Sequence, residues 1–227
     1  MKSLLFNITL SFLFSLPTFA GDRTLPKVLI IGDSISIGYT SYVIENLKGV
    51  AEVRRHKGNA GPTIRGVARI EDWLGKEKWD LIHFNWGLWD MYGWEYHKDD
   101  RSPKAYRQRL ESLVRRLKKT GAKLVWATTT PACPANETTM ERRFKQKVRI
   151  SSELERKYLE AALTVMNKHG VKVNDLHAFM KPLWSKYAIA DNNVHFTKLG
   201  SRKLGEKVAK AINSFLSVTG PKSRSSF

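Results

Sequence analysis

Lys27-Val28-Leu29-Ile30-Ile31-Gly32-Asp33-Ser34-Ile35-Ser36 is the stretch on which the fold turns. Val28 to Ile31 is an unbroken apolar run, the pattern of a strand buried on both faces rather than one. A glycine and two small polar residues follow at once, which predicts a tight turn into a helix. Four more segments read as strands: 51–55, weaker and suited to an edge, then 81–86, 123–128 and 171–173. Helical periodicity fills the spaces between them. Residues 102–119 place Leu110, Leu113, Val114 and Leu117 on one face, and 151–169 do so with Leu154, Tyr158, Ala161, Ala162 and Val165 before Gly170 stops the helix. Residues 197–216 align Leu199, Leu204, Val208, Ile212 and Leu216. Strands alternating with helices predict an α/β chain with a parallel sheet covered on both faces.

Composition sets the outer limits. The 227 residues suit one domain, and 42% hydrophobic content suits a packed core rather than a disordered chain. Met1-Lys2, an apolar stretch from Leu4 to Leu16 and the exit Pro17-Thr18-Phe19-Ala20 read as a signal peptide over 1–20, an uncleaved anchor being the competing reading. The expected division is 1–20 signal, 21–219 one folded domain and 220–227 a basic tail, in a secreted or periplasmic protein with no stable membrane insertion after cleavage. Cleavage takes Lys2 from the net charge of +18 and leaves +17. That surplus suggests an anionic partner. Runs such as Arg115-Arg116-Leu117-Lys118-Lys119 read as a solvated helix face, and no nucleic-acid motif accompanies them. A single cysteine excludes an internal disulfide and a multi-cysteine zinc site. Cys133 has no basic or histidine neighbour in sequence and reads as an inert packed side chain. Asn136-Glu137-Thr138 matches a glycosylation acceptor, which matters in a eukaryote alone.

In parallel sheets ligands sit beyond the carboxyl ends of the strands. Ser34 falls there. Its hydroxyl is either an exposed nucleophile or a cap for the next helix. The G-x-S-x-G elbow of the α/β-hydrolases does not occur, since the residue two after Ser34 is Ser36. A serine nucleophile needs a base near it, and His195 stands out among six histidines in Asp191-Asn192-Asn193-Val194-His195, a loop with an acid nearby. No H-x-x-x-H spacing suggests zinc, and no metal or cofactor is expected.

Taken together, these blocks resemble the SGNH, or GDSL-type, hydrolases, serine esterases with a flavodoxin-like sheet. Gly32-Asp33-Ser34 resembles the nucleophile block, Asn59-Ala60-Gly61-Pro62-Thr63 the second, 80–90 with Gly87-Leu88-Trp89-Asp90 the third, and Asn192 to His195 with Thr197 and Gly200 the last. The resemblance implies a three-layer α/β/α sandwich on a five-stranded parallel sheet. It also implies Ser34 as nucleophile, His195 as base, and an oxyanion hole from the backbone N–H groups of Ser34 and Gly61. The chain departs from the pattern twice. The oxyanion asparagine falls on Trp89, so that either its indole N–H or the amide of Asn85, on the same strand face, supplies the third donor. The aspartate three residues before the histidine falls on Asn192, which leaves Asp191 on a bulged loop, Asn192 or a backbone carbonyl to orient the ring.

Six aromatics crowd 84–96: Phe84, Trp86, Trp89, Tyr92, Trp94 and Tyr96. They suit sugar faces or acyl chains, with Trp86 and Trp89 as substrate-binding candidates, or else a lid packed on the core. The expected function is an exported serine esterase acting on a small ester or acylated carbohydrate, with acetyl and an anionic substrate as the narrower readings. The alternative is a weak or inactive module of the same fold that binds acidic polysaccharide.

Overall fold

The computed structural model describes residues 24–92, 98–132 and 150–217. The signal-like segment, the basic tail, Trp94, Tyr96, His97, Cys133 and Asn136 lie outside them. In chain order the elements are β1 (Lys27–Ile31), α1 (Ser34–Asn46), β2 (Glu52–Arg55), α2 (Thr63–Leu74), β3 (Leu81–Phe84), the single turn α3 (Leu88–Met91), α4 (Pro103–Lys118) and β4 (Lys123–Ala127). Then come α5 (Ser152–His169), β5 (Lys172–Asn174), α6 (Leu176–Met180), a 3₁₀ turn (Lys181–Leu183), α7 (Trp184–Tyr187) and α8 (Lys198–Ser217).

All strand pairs are parallel, in the order β2-β1-β3-β4-β5. This is the flavodoxin-like order, and its switch point lies between β1 and β3. Alternate residues of the apolar runs feed two separate cores. Leu29, Ile31, Ile82, Phe84 and Trp126 pack under α2, α4 and α5. Val28, Ile30, Leu81, Val125 and Ala127 pack under α1, α6 and α8. Each aliphatic side chain so buried contributes about 1.5–3 kcal/mol. The period of two along a strand thus explains why β1 must be apolar throughout. His83 shares the second face, fully buried beside Tyr39, and burial pushes its pKa down to about 3, so it stays neutral.

Two expectations change. The third strand ends at Phe84, not 86: Asn85 N–H still donates to Ile31 O at 2.9 Å, but toward β4 its carboxamide, donating to Ala127 O at 2.8 Å, replaces backbone pairing. Leu199 is 65% exposed rather than on the inner face of α8, where Gly200, packed against Tyr187 and Phe196, is the buried residue of the first turn.

The closest helix pair on the second face is α1 against α8, and glycine makes it possible. A Cβ on Gly205 would lie 2.5 Å from Tyr42 Cβ and 3.0 Å from Tyr39 O. Gly38 faces Ser201 more loosely, with the serine hydroxyl 3.2 Å from the position of a Cβ. Overpacking of the first kind costs about 1–3 kcal/mol. Gly205→Ala should therefore lower the unfolding free energy from urea titration by that amount, whereas Gly38→Ala, where a hydroxyl can rotate away, should sit near wild type.

Candidate active site

Asp33, not Ser34, caps α1: its Oδ1 accepts from Ile35 N–H at 2.9 Å. The serine is therefore the first helical residue, with its hydroxyl released from capping. Behind the turn lies a clamp from the end of β2. Arg55 donates to Gly32 O at 2.9 Å, Asp33 O at 3.3 Å, Ser36 Oγ at 2.9 Å, His56 O at 2.9 Å and Gly58 O at 2.7 Å. Five bonds from one guanidinium, four of them to backbone carbonyls, tie the nucleophile turn to the end of β2. Burial raises the Asp33 pKa to about 6, against the Ile35 N–H and the Arg55 charge, which lower it.

His195 reaches this serine from the loop before α8. Ile189 N–H donates to His195 O at 3.0 Å and Thr197 N–H to Tyr187 O at 2.8 Å, so 187–197 folds back on itself around an Ala188–Phe196 bridge. Buried Val194 and Phe196 anchor the arm, and the alternation of an extended segment turns His195 the other way. Its Nε2 lies 2.8 Å from Ser34 Oγ across 161 residues of sequence. Burial lowers its pKa below the ordinary histidine value.

The ring's other nitrogen corrects an expectation. Nδ1 lies 2.8 Å from Oδ1 of Asn193, and that oxygen also accepts the His195 backbone N–H at 3.0 Å. Asp191 is exposed and does not hold the ring. An Asx turn, with its acceptor two residues before the donor, fills the place that the bulged aspartate would need. The sequence carried this signal in the spacing Asn-x-His, which a search for an acid overlooks.

The oxyanion donors are also rearranged. Ser34 N–H opens α1, where first-turn amides have no intrahelical acceptor. Gly61, with a φ of +59°, donates its N–H to Asn59 Oδ1 at 2.8 Å, so that this donor is already engaged. Asn85 does not serve the hole: its amide donates to Ala127 O and, at 3.2 Å, to Thr129 Oγ1, toward β4. The carboxamide satisfies the strand end that Gly87 interrupts, at a φ of +151° with Thr129 packed where a Cβ would go.

Trp89 and Trp86 separate completely. Trp89 lines a cavity of about 210 Å³ together with Ser34, His195, Leu88, Tyr92 and Val194. Trp86 is 1% exposed, stacks on Trp73 with centroids 6.3 Å apart and fits against Gly66, so it belongs to the core and not to a substrate site. The two are three residues apart, but β3 has already ended, and the turn at Gly87 reverses the inside–outside sense. The turn α3 that carries Trp89 is fixed by its neighbour. Asp90 is wholly buried and accepts from Thr63 N–H at 2.9 Å and Thr63 Oγ1 at 2.5 Å at the head of α2. Arg101 donates to Trp89 O at 3.2 Å from the other side. Among the described residues no cluster of three or more His, Cys, Asp or Glu could hold a metal, and no helix is long and apolar enough to cross a membrane.

The profile of the family described as GDSL-like lipase/acylhydrolase matches residues 28–208, which spans every site residue above. No curated protein sequence matches the chain. Among solved structures, the acetyl xylan esterase AlAXEase is 18% identical with a TM-score of 0.65, over 82% of this chain and 99% of its own. The lipase/acylhydrolase from Enterococcus faecalis is 19% identical with a TM-score of 0.67, over 84% and 97%. A catalytic mutant of Axe2, an acetylxylan esterase from Geobacillus stearothermophilus, is 19% identical with a TM-score of 0.64, over 82% and 94%. At such identities the likeness is one of fold.

The two tryptophans give a direct test of the division. Trp86→Ala should cost about 3–5 kcal/mol in urea unfolding, as large-to-small core changes do. Trp89→Ala should move the unfolding midpoint far less and lower kcat/KM instead.

Proposed function

The chain belongs to the GDSL-like lipase/acylhydrolase family and is an ester-hydrolysing serine hydrolase; from that premise we propose that it removes a short acyl group, acetyl, from a carbohydrate outside the cytoplasm. One observation carries the catalytic part: Ser34 Oγ and His195 Nε2 at 2.8 Å in the wall of one cavity. Ser34 attacks the ester carbonyl as His195 takes its proton. The Ser34 N–H meets the oxyanion at the positive end of α1. With Asn85 bonded elsewhere, the indole N–H of Trp89, which lines the same cavity, is assigned as the side-chain donor to the oxyanion. His195 returns its proton to the leaving alcohol. Water, activated by the same ring, then attacks the acyl-enzyme ester and releases the acid, which restores the Ser34 hydroxyl.

The cavity of about 210 Å³ sets apolar walls from Leu88, Val194, Tyr92 and Trp89 beside Ser34, which suits a small acyl group. Trp89 and Tyr92 offer flat faces on which a sugar ring can lie. Two of the similar structures carry acetylxylan esterase as their description, which favours the same bond here. The signal-like 1–20 supports export, and a charge of +17 after cleavage favours an anionic glycan over a neutral one.

Ser34→Ala should abolish hydrolysis of p-nitrophenyl acetate with circular dichroism unchanged, and wild-type kcat/KM should fall as the acyl chain lengthens from acetyl to octanoyl. Undiminished turnover in the alanine variant would contradict the nucleophile. A preference for octanoyl would contradict the short acyl group.

A further inference from the structure

We propose that Asn193 is the positioning residue of the pair, a neutral carboxamide that sets the tautomer of His195 where an acid is expected. The inference rests on the hydrolase reading and deepens it. The assignment of protons begins at a backbone group. The His195 N–H can only donate, so the end of the Asn193 side chain 3.0 Å from it must be the oxygen. An amide oxygen can only accept, so the ring nitrogen 2.8 Å from it, Nδ1, must carry the proton. Nε2 is left with its lone pair toward Ser34 Oγ at 2.8 Å, ready to receive the hydroxyl proton. The opposite orientation of the carboxamide would set two N–H groups against each other.

The same geometry fixes the side chain that does the fixing. Asn193 N–H donates to Ala190 O at 3.0 Å, and the next residue, Val194, is buried, so the turn is held at both ends. Among the described residues, no charge around the ring takes the part of the expected aspartate. On its own loop Asp191 is exposed. At the head of α1 the Asp33 carboxylate is turned to Ile35 N–H, with Arg55 behind it. From α3, Asp90 is taken up by Thr63. Burial is the sole cause that moves the His195 pKa, and it moves it down. An amide in this place orients the ring but gives the imidazolium no Coulomb support, so the resting base stays neutral to lower pH than an ordinary histidine and the transition state goes without a counter-charge.

The test is the rate of inactivation by a fluorophosphonate probe against pH, in wild type, Asn193→Asp and Asn193→Leu, with ¹⁵N-histidine NMR of the same proteins. Asn193→Asp keeps an acceptor for both His195 N–H groups and adds a charge. Its acid limb should move to higher pH, and its plateau rate should rise several-fold. Asn193→Leu removes the acceptor and should slow inactivation on the order of a hundredfold or more. In wild type above the limb, His195 should show a protonated Nδ1 and a bare Nε2, its signals assigned by their loss in His195→Gln. Asn193→Leu should show mixed tautomers. The reverse tautomer in wild type, or a leucine variant that reacts at the wild-type rate, would overturn the proposal. A wild type that shows the expected tautomer but never reacts would leave the positioning intact and overturn the hydrolase reading instead.

Discussion

Ser34 and His195 meet because two helices far apart in sequence are allowed to touch almost backbone to backbone. One begins at Ser34 and the other follows directly on the histidine loop, and their separation decides whether a hydroxyl and an imidazole fall within hydrogen-bond reach. Gly205 under Tyr42 removes the Cβ atom that would hold the pair apart. The sheet supplies the other coordinate. Val28, Ile30 and Ile31 are fully buried, so the end of β1 has no freedom to drift, and the turn to Ser34 leaves it at a fixed point beside the switch between β1 and β3.

Around that point the chain spends polar groups on rigidity. Arg55 satisfies the carbonyls of the nucleophile turn, while Ala60 N–H ties the second block to Gly32 O at 3.1 Å. Asp90 locks α3 to α2, and Tyr158 OH donates to the carbonyls of Asp90 and Arg101 beneath it. Each partner comes from a different element, so the reacting groups are held by the fold rather than by their own loops. Among the described residues His195 has no countercharge, and the carboxamide of Asn193 supplies direction in its place.

Much of the fold was legible in the sequence because it follows from period and burial. The apolar run at Val28 to Ile31, the helical faces at Leu110 to Leu117 and at Tyr158 to Val165, and the alternation of strand and helix each express one physical rule over many residues. Ser34 and His195 were legible for a related reason: each sits where a strand or a turn delivers a polar residue that has no packing role. The misplaced residues depend on single turns. Nothing local separates Trp86 from Trp89, since the inside–outside reversal comes from Gly87 and from Thr129 packed against it forty residues later in the chain. Asn85 looked free until β4 supplied Ala127 O as its acceptor. Asp191 attracted attention by its charge, while the atom that reaches His195 belongs to an amide two residues on.

The central claim is that Ser34 is a nucleophile made reactive by His195 in the folded protein. Intact-mass and peptide mass spectrometry after exposure to a fluorophosphonate tests it most directly. The account predicts one adduct per chain, on the peptide that holds Ser34, lost when the protein is unfolded first and nearly lost in His195→Ala. No adduct on Ser34, or one formed equally fast without His195, would contradict it.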